Sequence, residues 1–69
     1  MKYYIIKTTK NGIEYKRTKC LEYWSRTPEG CWKFSKQGAE KIVDRYNKAI
    51  NPNGEAWYNI GIHYNIKEA

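Results

Sequence analysis

The chain has 69 residues and a formal net charge of +6, with 13 lysine and arginine residues against seven aspartate and glutamate residues. A chain of this size buries only about 60% of the surface that it exposes when unfolded, so it can form one small core. These values predict one domain over residues 1–69, exclude a nucleotide-binding α/β fold or a cleft between two lobes, and favour an acidic partner.

Composition also restricts the class of protein. Aromatic residues make up 16% of the chain, which is typical of a folded domain and not of a disordered tail. A run of only four apolar residues precedes Lys7, which is too short for a signal peptide or a membrane span. We therefore expect a cytoplasmic protein with no membrane contact. In that compartment Cys20 and Cys31 are expected to be reduced thiols, with a disulfide as the less favoured alternative.

A β-hairpin is predicted at the start of the chain. Lys2 to Lys10 should pair with Ile13 to Cys20, because Asn11-Gly12 is typical of a two-residue type I′ turn. One face then carries Tyr4, Ile6, Thr8, Ile13, Tyr15, Arg17 and Lys19, and the other carries Tyr3, Ile5, Lys7, Glu14, Lys16, Thr18 and Cys20. We expect the first face to be the core side.

The next segment predicts short strands around a turn. Leu21, Tyr23 and Trp24 either extend the second strand past a bulge or begin a third strand. The stretch from Arg26 to Gly30 is typical of a turn with Pro28 at its second corner. Residues 31–34 should then return as a short strand.

A helix is predicted from Lys36, with Ser35 as its N-cap. The apolar positions follow one face of a 3.6-residue period, at Ala39, Ile42, Val43, Tyr46, Ala49 and Ile50. The helix should end at residues 51–54, whose sequence is Asn-Pro-Asn-Gly.

A long strand is predicted near the end of the chain, because apolar residues alternate at Ala56, Tyr58, Ile60, Ile62, Tyr64 and Ile66. The element order β-β-(β)-α-β predicts an α+β fold, in which one helix packs on one face of an antiparallel sheet of three or four strands. Gly61 within the strand indicates a bend of the sheet or, less favoured, a ligand notch.

Catalytic and metal-binding patterns are weak. His63 is the only histidine, and we expect it on the open sheet face, half exposed. A Cys–His pair with Cys20 or Cys31 is a less favoured alternative. A zinc site needs four ligands at short spacings, which these residues do not supply. The sequence therefore predicts no enzyme, no cofactor and no metal site.

Positive charge is concentrated in the first half of the chain. Residues 1–34 carry eight basic and three acidic side chains, whereas residues 35–69 carry five and four. Basic groups bind phosphates, and aromatic rings stack on bases for about 1–3 kcal/mol each. The predicted ligand-binding residues, on the basic hairpin and the open sheet face, are Tyr3, Lys7, Lys16, Arg17, Lys19, Trp57 and His63. The alternative is that the lysines protect sheet edges and the tyrosines form the core.

The segment around the predicted helix start resembles a group of known proteins. Residues 32–43, Trp-Lys-Phe-Ser-Lys-Gln-Gly-Ala-Glu-Lys-Ile-Val, are similar to small accessory proteins of bacteriophages and mobile elements of low-GC bacteria. The bias toward Lys, Asn, Ile and Tyr indicates an AT-rich source. The resemblance implies a role as a DNA-binding regulator, an anti-CRISPR-like inhibitor of host defence or a sponge for cyclic-nucleotide signals. It assigns no function to any single residue.

Two functions follow from these observations. The first is a small non-enzymatic module that binds an anionic ligand, either nucleic acid or a nucleotide signal. The alternative is a protein-interaction module, such as an inhibitor of a host protein or a homodimer, that acts through exposed Trp24, Trp32 or Trp57.

Overall fold

The fold is a four-stranded antiparallel sheet with one long helix on one face. The computed structural model describes the backbone of residues 1–69 and every side chain except those of Trp57 and Tyr58. The elements are β1 (Tyr3–Thr9), β2 (Gly12–Lys16), β3 (Trp24–Ser25), α1 (Lys36–Ile50), α2 (Trp57–Ile60) and β4 (Ile62–Glu68). The strand order is β3-β2-β1-β4. The predicted α+β class is confirmed.

The first and last strands form the longest pair of the sheet. β1 pairs with β4 from Tyr3 opposite Glu68 to Thr9 opposite Ile62. The Ala69 N–H also donates to the Lys2 carbonyl oxygen at 2.9 Å. β1 therefore lies in the middle of the sheet, and the two chain ends lie side by side.

The hairpin forms as predicted but in a different register. Ile6 pairs with Tyr15, and Thr9 pairs with Gly12, so the turn residues are Lys10 and Asn11 instead of Asn11-Gly12. Thr9 Oγ1 accepts from the Asn11 N–H at 3.2 Å, and Gly12 has φ of +121°, which L side chains rarely adopt. Because the shift is two residues, each side chain keeps its predicted face; a shift of one would reverse them all.

The helix packs on the face opposite the predicted core face, although the predicted face also buries a cluster. α1 packs on the face that carries Ile5, where the buried cluster consists of Ile5, Phe34 and Ala39, with Tyr3, Trp24, Ile42, Val43 and Ile66 against it. A second cluster of Ile6, Tyr15 and Cys31, with Tyr4, lies on the other face. The run Tyr-Tyr-Ile-Ile places one tyrosine and one isoleucine on each side, so its pattern fits a helix on either face.

The segment between β2 and α1 is less regular than predicted. β2 ends at Lys16 instead of Cys20, and β3 contains two residues. The Cys31 N–H donates to the Pro28 carbonyl oxygen at 3.1 Å, which closes the turn one residue later than expected. Phe34 pairs with Tyr3 through two backbone hydrogen bonds, of 2.8 and 2.7 Å. This bridge attaches the start of α1 to the first strand.

The long helix begins and ends where the local pattern predicts. The Ser35 side chain accepts from the Gly38 N–H at 3.2 Å, which confirms it as the N-cap. Ala39 is fully buried against the sheet. The helix ends at Ile50, before the Asn51 cap. No helix of the described chain is both long enough and apolar enough to cross a bilayer.

The strand predicted from Ala56 was wrong in its first half. Residues 57–60 form the short helix α2, and β4 begins only at Ile62. Gly61, with φ of +88°, joins the two elements, so its bend lies at a helix-to-strand junction and not within a strand. Within this single helical turn the Asn59 N–H donates to the Ala56 carbonyl oxygen at 3.0 Å.

Candidate functional site

The structure separates the residues that were predicted to share an open, ligand-binding face. Tyr3 packs against the buried cluster beneath α1, and Lys7 and Lys16 lie on the same helix-covered face. His63 pairs with Thr8 and so lies on the opposite face. The Trp57 side chain is outside the described residues. The predicted arrangement of these side chains on one open face was therefore wrong.

The two lysines of the helix-covered face are engaged within the protein. Lys16 is only 1% exposed, and its Nζ donates to the Leu21 carbonyl oxygen at 2.8 Å. The same Nζ lies 5.9 Å from the ring centroid of Trp24 and 5.6 Å from that of Tyr46. Lys7 Nζ lies 3.6 Å from the Glu14 carboxylate and 4.7 Å from the Trp24 ring. These ammonium groups stabilise an aromatic cluster through cation–π contacts instead of facing a ligand.

That aromatic cluster consists of Trp24, Tyr46 and Tyr64. Its ring centroids are 5.0 Å apart for Tyr46 and Tyr64, and 5.7 Å apart for Trp24 and Tyr64. Burial raises the pKa of the Tyr64 hydroxyl, and the negative charge of Glu22 and the neighbouring Tyr46 raise it further. The cluster joins β3, α1 and β4, which is a structural function.

His63 lies in a separate part of the molecule. It lines a depression of about 240 Å³ at the start of β4, together with residues from the end of α1 and with Glu55. Among the described residues, no group of three or more histidine, cysteine, aspartate or glutamate side chains could hold a metal ion.

A larger groove lies at the start of α1, and we call it the Trp32 groove. It has a volume of about 430 Å³, within the range of roughly 300–1,000 Å³ that small-ligand sites occupy. Its lining residues are Lys2, Lys19, Cys20, Trp32, Lys33, Phe34, Ser35, Gly38 and Ile42. Three of these are lysines, and none of the side chains that line it is acidic.

Three chain segments meet to form the Trp32 groove. The Thr18 hydroxyl donates to the Leu21 carbonyl oxygen at 2.7 Å and accepts from the Leu21 N–H at 3.0 Å, which folds a tight loop carrying Lys19. The Trp32 N–H donates to the Arg17 carbonyl oxygen at 3.0 Å. The bridge between Tyr3 and Phe34 then brings Lys2 and Lys33 to the same region.

Trp32 presents an aromatic ring in this basic surrounding. Its side chain is 48% exposed, and the Lys19 Nζ lies 5.9 Å from its ring centroid. For the side chains that the structure describes, the ion pairs are Lys7 with Glu14 and Lys48 with Asp44, so none of the groove lysines forms a direct ion pair. The first turn of α1 also carries no acidic residue, and its helix dipole adds positive potential there.

Arg17 and Tyr23 lie next to the groove in the chain fold. The Arg17 N–H donates to the Tyr23 carbonyl oxygen at 2.7 Å, while the Arg17 carbonyl oxygen accepts from the Trp32 N–H. The backbone of Arg17 therefore connects the two aromatic residues, and Tyr23 is 58% exposed. Of the predicted binding residues whose side chains the structure describes, Lys19 lines the groove, and Arg17 adjoins it through its backbone bond to Trp32.

The sequence interpretation did not place Lys2, Trp32 and Lys33 at a common site. These residues are far apart in the chain, and they meet because Phe34 pairs with Tyr3, a long-range contact that no local pattern indicates. The sequence interpretation offered Trp32 only as one of three exposed tryptophans for a protein partner. In the structure it is exposed between the buried Cys31 and Phe34.

The two cysteines have different surroundings, and both are free. Cys31 is buried, and its Sγ donates to the Thr27 carbonyl oxygen at 3.4 Å and contacts the Tyr15 carbonyl oxygen at 3.9 Å. Burial raises the pKa of the Cys31 thiol, while the positive charge of Arg17 opposes that effect. Cys20 is exposed at the groove.

The residues that line the Trp32 groove could hold an anion beside an aromatic ring. Ammonium groups supply the charge, one exposed indole supplies a flat face, and small residues at the helix start leave room between them.

Comparisons with known proteins find no matching family model, no matching curated protein and no matching solved structure.

Proposed function

We propose that this protein is a non-enzymatic binding module that holds a nucleic acid or a nucleotide in the Trp32 groove. The observation that carries the proposal is the half-exposed Trp32 ring among three lysines, in a groove without an acidic side chain. The ligand class agrees with the interpretation of the sequence, while the binding surface differs from the predicted one.

The lysines supply the affinity for phosphate. Lys2, Lys19 and Lys33 come from three separate segments and form no direct ion pair with a described carboxylate. Lysine contacts to phosphate release condensed counterions, so binding of this kind weakens as salt increases. The net charge of +6 adds long-range attraction for a polyanion.

Trp32 supplies the preference for a ligand that carries a base. An exposed indole offers a flat face on which a base stacks, and such contacts contribute about 1–3 kcal/mol. A simple anion such as sulfate would use the lysines and leave the ring exposed to water. The combination therefore favours a nucleotide unit over an inorganic anion.

The groove offers little for catalysis. Its lining contains the Cys20 thiol but no histidine or carboxylate that could act as a general base. His63 lines a different depression, and the Cys31 thiol is buried against carbonyl oxygens. These features support binding without turnover.

The test compares a variant that lacks the groove lysines with a control variant of the same net charge. One variant carries Lys2→Gln, Lys19→Gln and Lys33→Gln, and the control carries Lys10→Gln, Lys41→Gln and Arg45→Gln at exposed positions outside the groove. Each variant lowers the net charge of +6 by three units. Binding is followed by tryptophan fluorescence with a single-stranded oligonucleotide, a hairpin duplex and a cyclic dinucleotide, at low and physiological salt.

We expect the groove variant to lose binding and the control to keep most of it. Each phosphate contact contributes about 0.7–0.9 to the slope of log affinity against log salt, so losing three contacts should reduce that slope by about 2. An equal reduction in both variants would show that only net charge matters, and no fluorescence change with any ligand would contradict the proposal.

A protein partner is the second candidate function. Leu21, Tyr23 and Trp32 are all largely exposed, and aromatic side chains are frequent anchors of protein interfaces. A host protein bound by an anti-defence protein of a phage or mobile element, or a second copy of the chain, would fit this surface. Such a complex should be lost in Trp32→Ala and should depend little on salt, unlike a nucleic-acid complex.

A further inference from the structure

We infer that the ligand of the Trp32 groove is an unpaired nucleic-acid strand, in preference to a duplex or a free mononucleotide. This inference depends on the proposed function and narrows it to one ligand class. It rests on the exposure of Trp32, on the charges of the other exposed elements, and on the number of lysines at the groove.

Exposure of the Trp32 ring favours an unpaired base. In a duplex the faces of the bases are covered by their neighbours in the stack, so a protein ring cannot stack on them without unstacking the helix. A single strand leaves these faces open, and aromatic platforms beside basic grooves are typical of proteins that bind it. The 48% exposed ring of Trp32 is such a platform.

The elements that could enter a duplex groove have some of their basic groups paired or turned inward. A helix or a two-stranded ribbon is the element that enters the major groove. The exposed side of α1 carries Glu40 and Asp44 among its basic residues, and Lys48 Nζ is paired with Asp44 at 3.0 Å. In the β1–β2 ribbon, Lys7 and Lys16 are directed at Trp24 beneath the helix.

The number of cations favours more than one phosphate. A mononucleotide with one phosphate would engage only part of the set formed by Lys2, Lys19 and Lys33. Arg17 and Tyr23 are exposed and lie next to the groove in the chain fold, since the Arg17 backbone bonds to both Tyr23 and Trp32. Successive phosphates of a strand would use these groups together, with one base on the Trp32 ring.

The test compares ligands and platform residues in one assay. The probe is a dye-labelled oligothymidine of about 12 nucleotides, since small single-strand domains cover roughly 4–16 nucleotides. Its fluorescence anisotropy is measured alone, annealed to its complement, and in competition with AMP. The protein variants are Trp32→Phe, which keeps an aromatic face, and Trp32→Leu, which keeps an apolar side chain without one.

We expect the single strand to bind at least about tenfold more tightly than the duplex, with Trp32→Leu about tenfold weaker than Trp32→Phe. AMP should not displace the strand at comparable concentrations. Equal binding of the duplex, efficient displacement by AMP, or equal affinity of the two variants would overturn this inference while the proposed function stands. Absence of binding by every one of these ligands would overturn the proposed function itself.

Discussion

Lys16 is a buried lysine whose ammonium group lies close to two aromatic rings. Removing a charge from water is costly unless strong contacts replace hydration. Lys16 Nζ has a carbonyl oxygen at 2.8 Å and two ring centroids within 5.9 Å, and Lys7 lies on the same tryptophan. Lysine side chains are normally exposed, so the contacts of Lys16 replace the hydration that its ammonium group loses on burial.

Lys16→Ala should destabilise the protein, whereas Arg17→Ala should not. Lys16→Ala removes a hydrogen bond from a charged donor, which contributes about 1.5–3 kcal/mol, and leaves a cavity beside Trp24. An exposed substitution such as Arg17→Ala changes stability by no more than about 0.5 kcal/mol. Urea denaturation followed by circular dichroism measures both, and similar midpoints would contradict the buried position of Lys16.

Trp24 and Trp32 show why residue type alone did not locate the candidate site. Trp24 lies in the ring cluster with Tyr46 and Tyr64, while Trp32 is half exposed in the groove. In the sequence the two tryptophans have the same apolar character. Their difference arises from pairing, since Trp24 lies opposite Lys16 in the sheet and Trp32 follows a turn outside it.

At the scale of secondary-structure elements, the helix covers the free edge of β4 at Tyr64. Asn47 on α1 donates from Nδ2 to the Tyr64 carbonyl oxygen at 2.9 Å and accepts from the Tyr64 N–H at 3.0 Å. One side-chain amide thus satisfies both backbone groups that a neighbouring strand would bind. The Asn65 side chain occupies the Ile66 N–H at 2.8 Å. Edge strands covered in this way resist pairing with other chains.

Asn47→Ala should therefore both destabilise the domain and promote self-association. Loss of two hydrogen bonds that contribute about 0.5–1.5 kcal/mol each lowers the free energy of unfolding, and the exposed edge can pair with another copy. Light scattering after gel filtration measures the mass across a concentration series, with Asn53→Ala in the exposed loop as the control. A variant that stays monomeric at every concentration would show that Asn47 does not protect the edge.

The helix α1 and the last strand differ in how well local pattern predicts them. α1 has a capping serine, an apolar stripe and a terminating segment, all within neighbouring residues, and its limits are confirmed. The alternation from Ala56 fits a strand equally well along its length, but residues 57–60 form a helical turn. Only pairing with β1 decides where the strand begins, and that pairing ends at Ile62 opposite Thr9.

On the scale of the whole molecule, both faces of the sheet bury side chains. The cluster around Ile5 lies beneath α1, and the cluster around Ile6 lies beneath Cys31, with the rings of Tyr4 and Tyr15 packed edge to face at 5.5 Å. A 69-residue chain gains stability by covering both faces with short segments. The Trp32 groove lies beside the first of these clusters, since Phe34 and Ile42 belong to that cluster and line the groove.

Stability should decline at alkaline pH because two buried acids resist ionisation. The pKa values of Cys31 and Tyr64 are raised above their ordinary values of 9.0 and 10.0, in both cases chiefly by burial. Both groups are neutral when protonated. A raised pKa in the folded state stabilises the fold fully below the pKa of the unfolded chain, and this contribution is lost as pH rises through the folded value.

We therefore expect the free energy of unfolding to be constant from about pH 6 to 8 and to fall above about pH 9. Urea denaturation across this range gives the slope, and the double variant Cys31→Ala with Tyr64→Phe, which cannot ionise at these positions, should show a shallower decline. An identical decline in the double variant would assign the effect to other groups.

The sequence by itself determined the features whose causes lie within a few residues. The capped helix, the existence of the hairpin and the positive character of residues 1–34 depend on local propensity and composition, and the α+β class follows from the order of these elements. Because strand side chains alternate strictly, the sequence also divided the hairpin residues correctly between two faces, despite the shifted register.

Only the tertiary structure decided which face the helix covers and where the candidate site lies. Packing of Ala39 over Ile5 turned Lys7 and Lys16 inward, and the pairing of Phe34 with Tyr3 assembled the Trp32 groove from distant segments. Both faces of this sheet carry apolar residues, so the helix could pack on either one. Long-range packing gives the two arrangements different free energies. A local pattern does not contain that difference, so the candidate binding surface can be identified only from the folded structure.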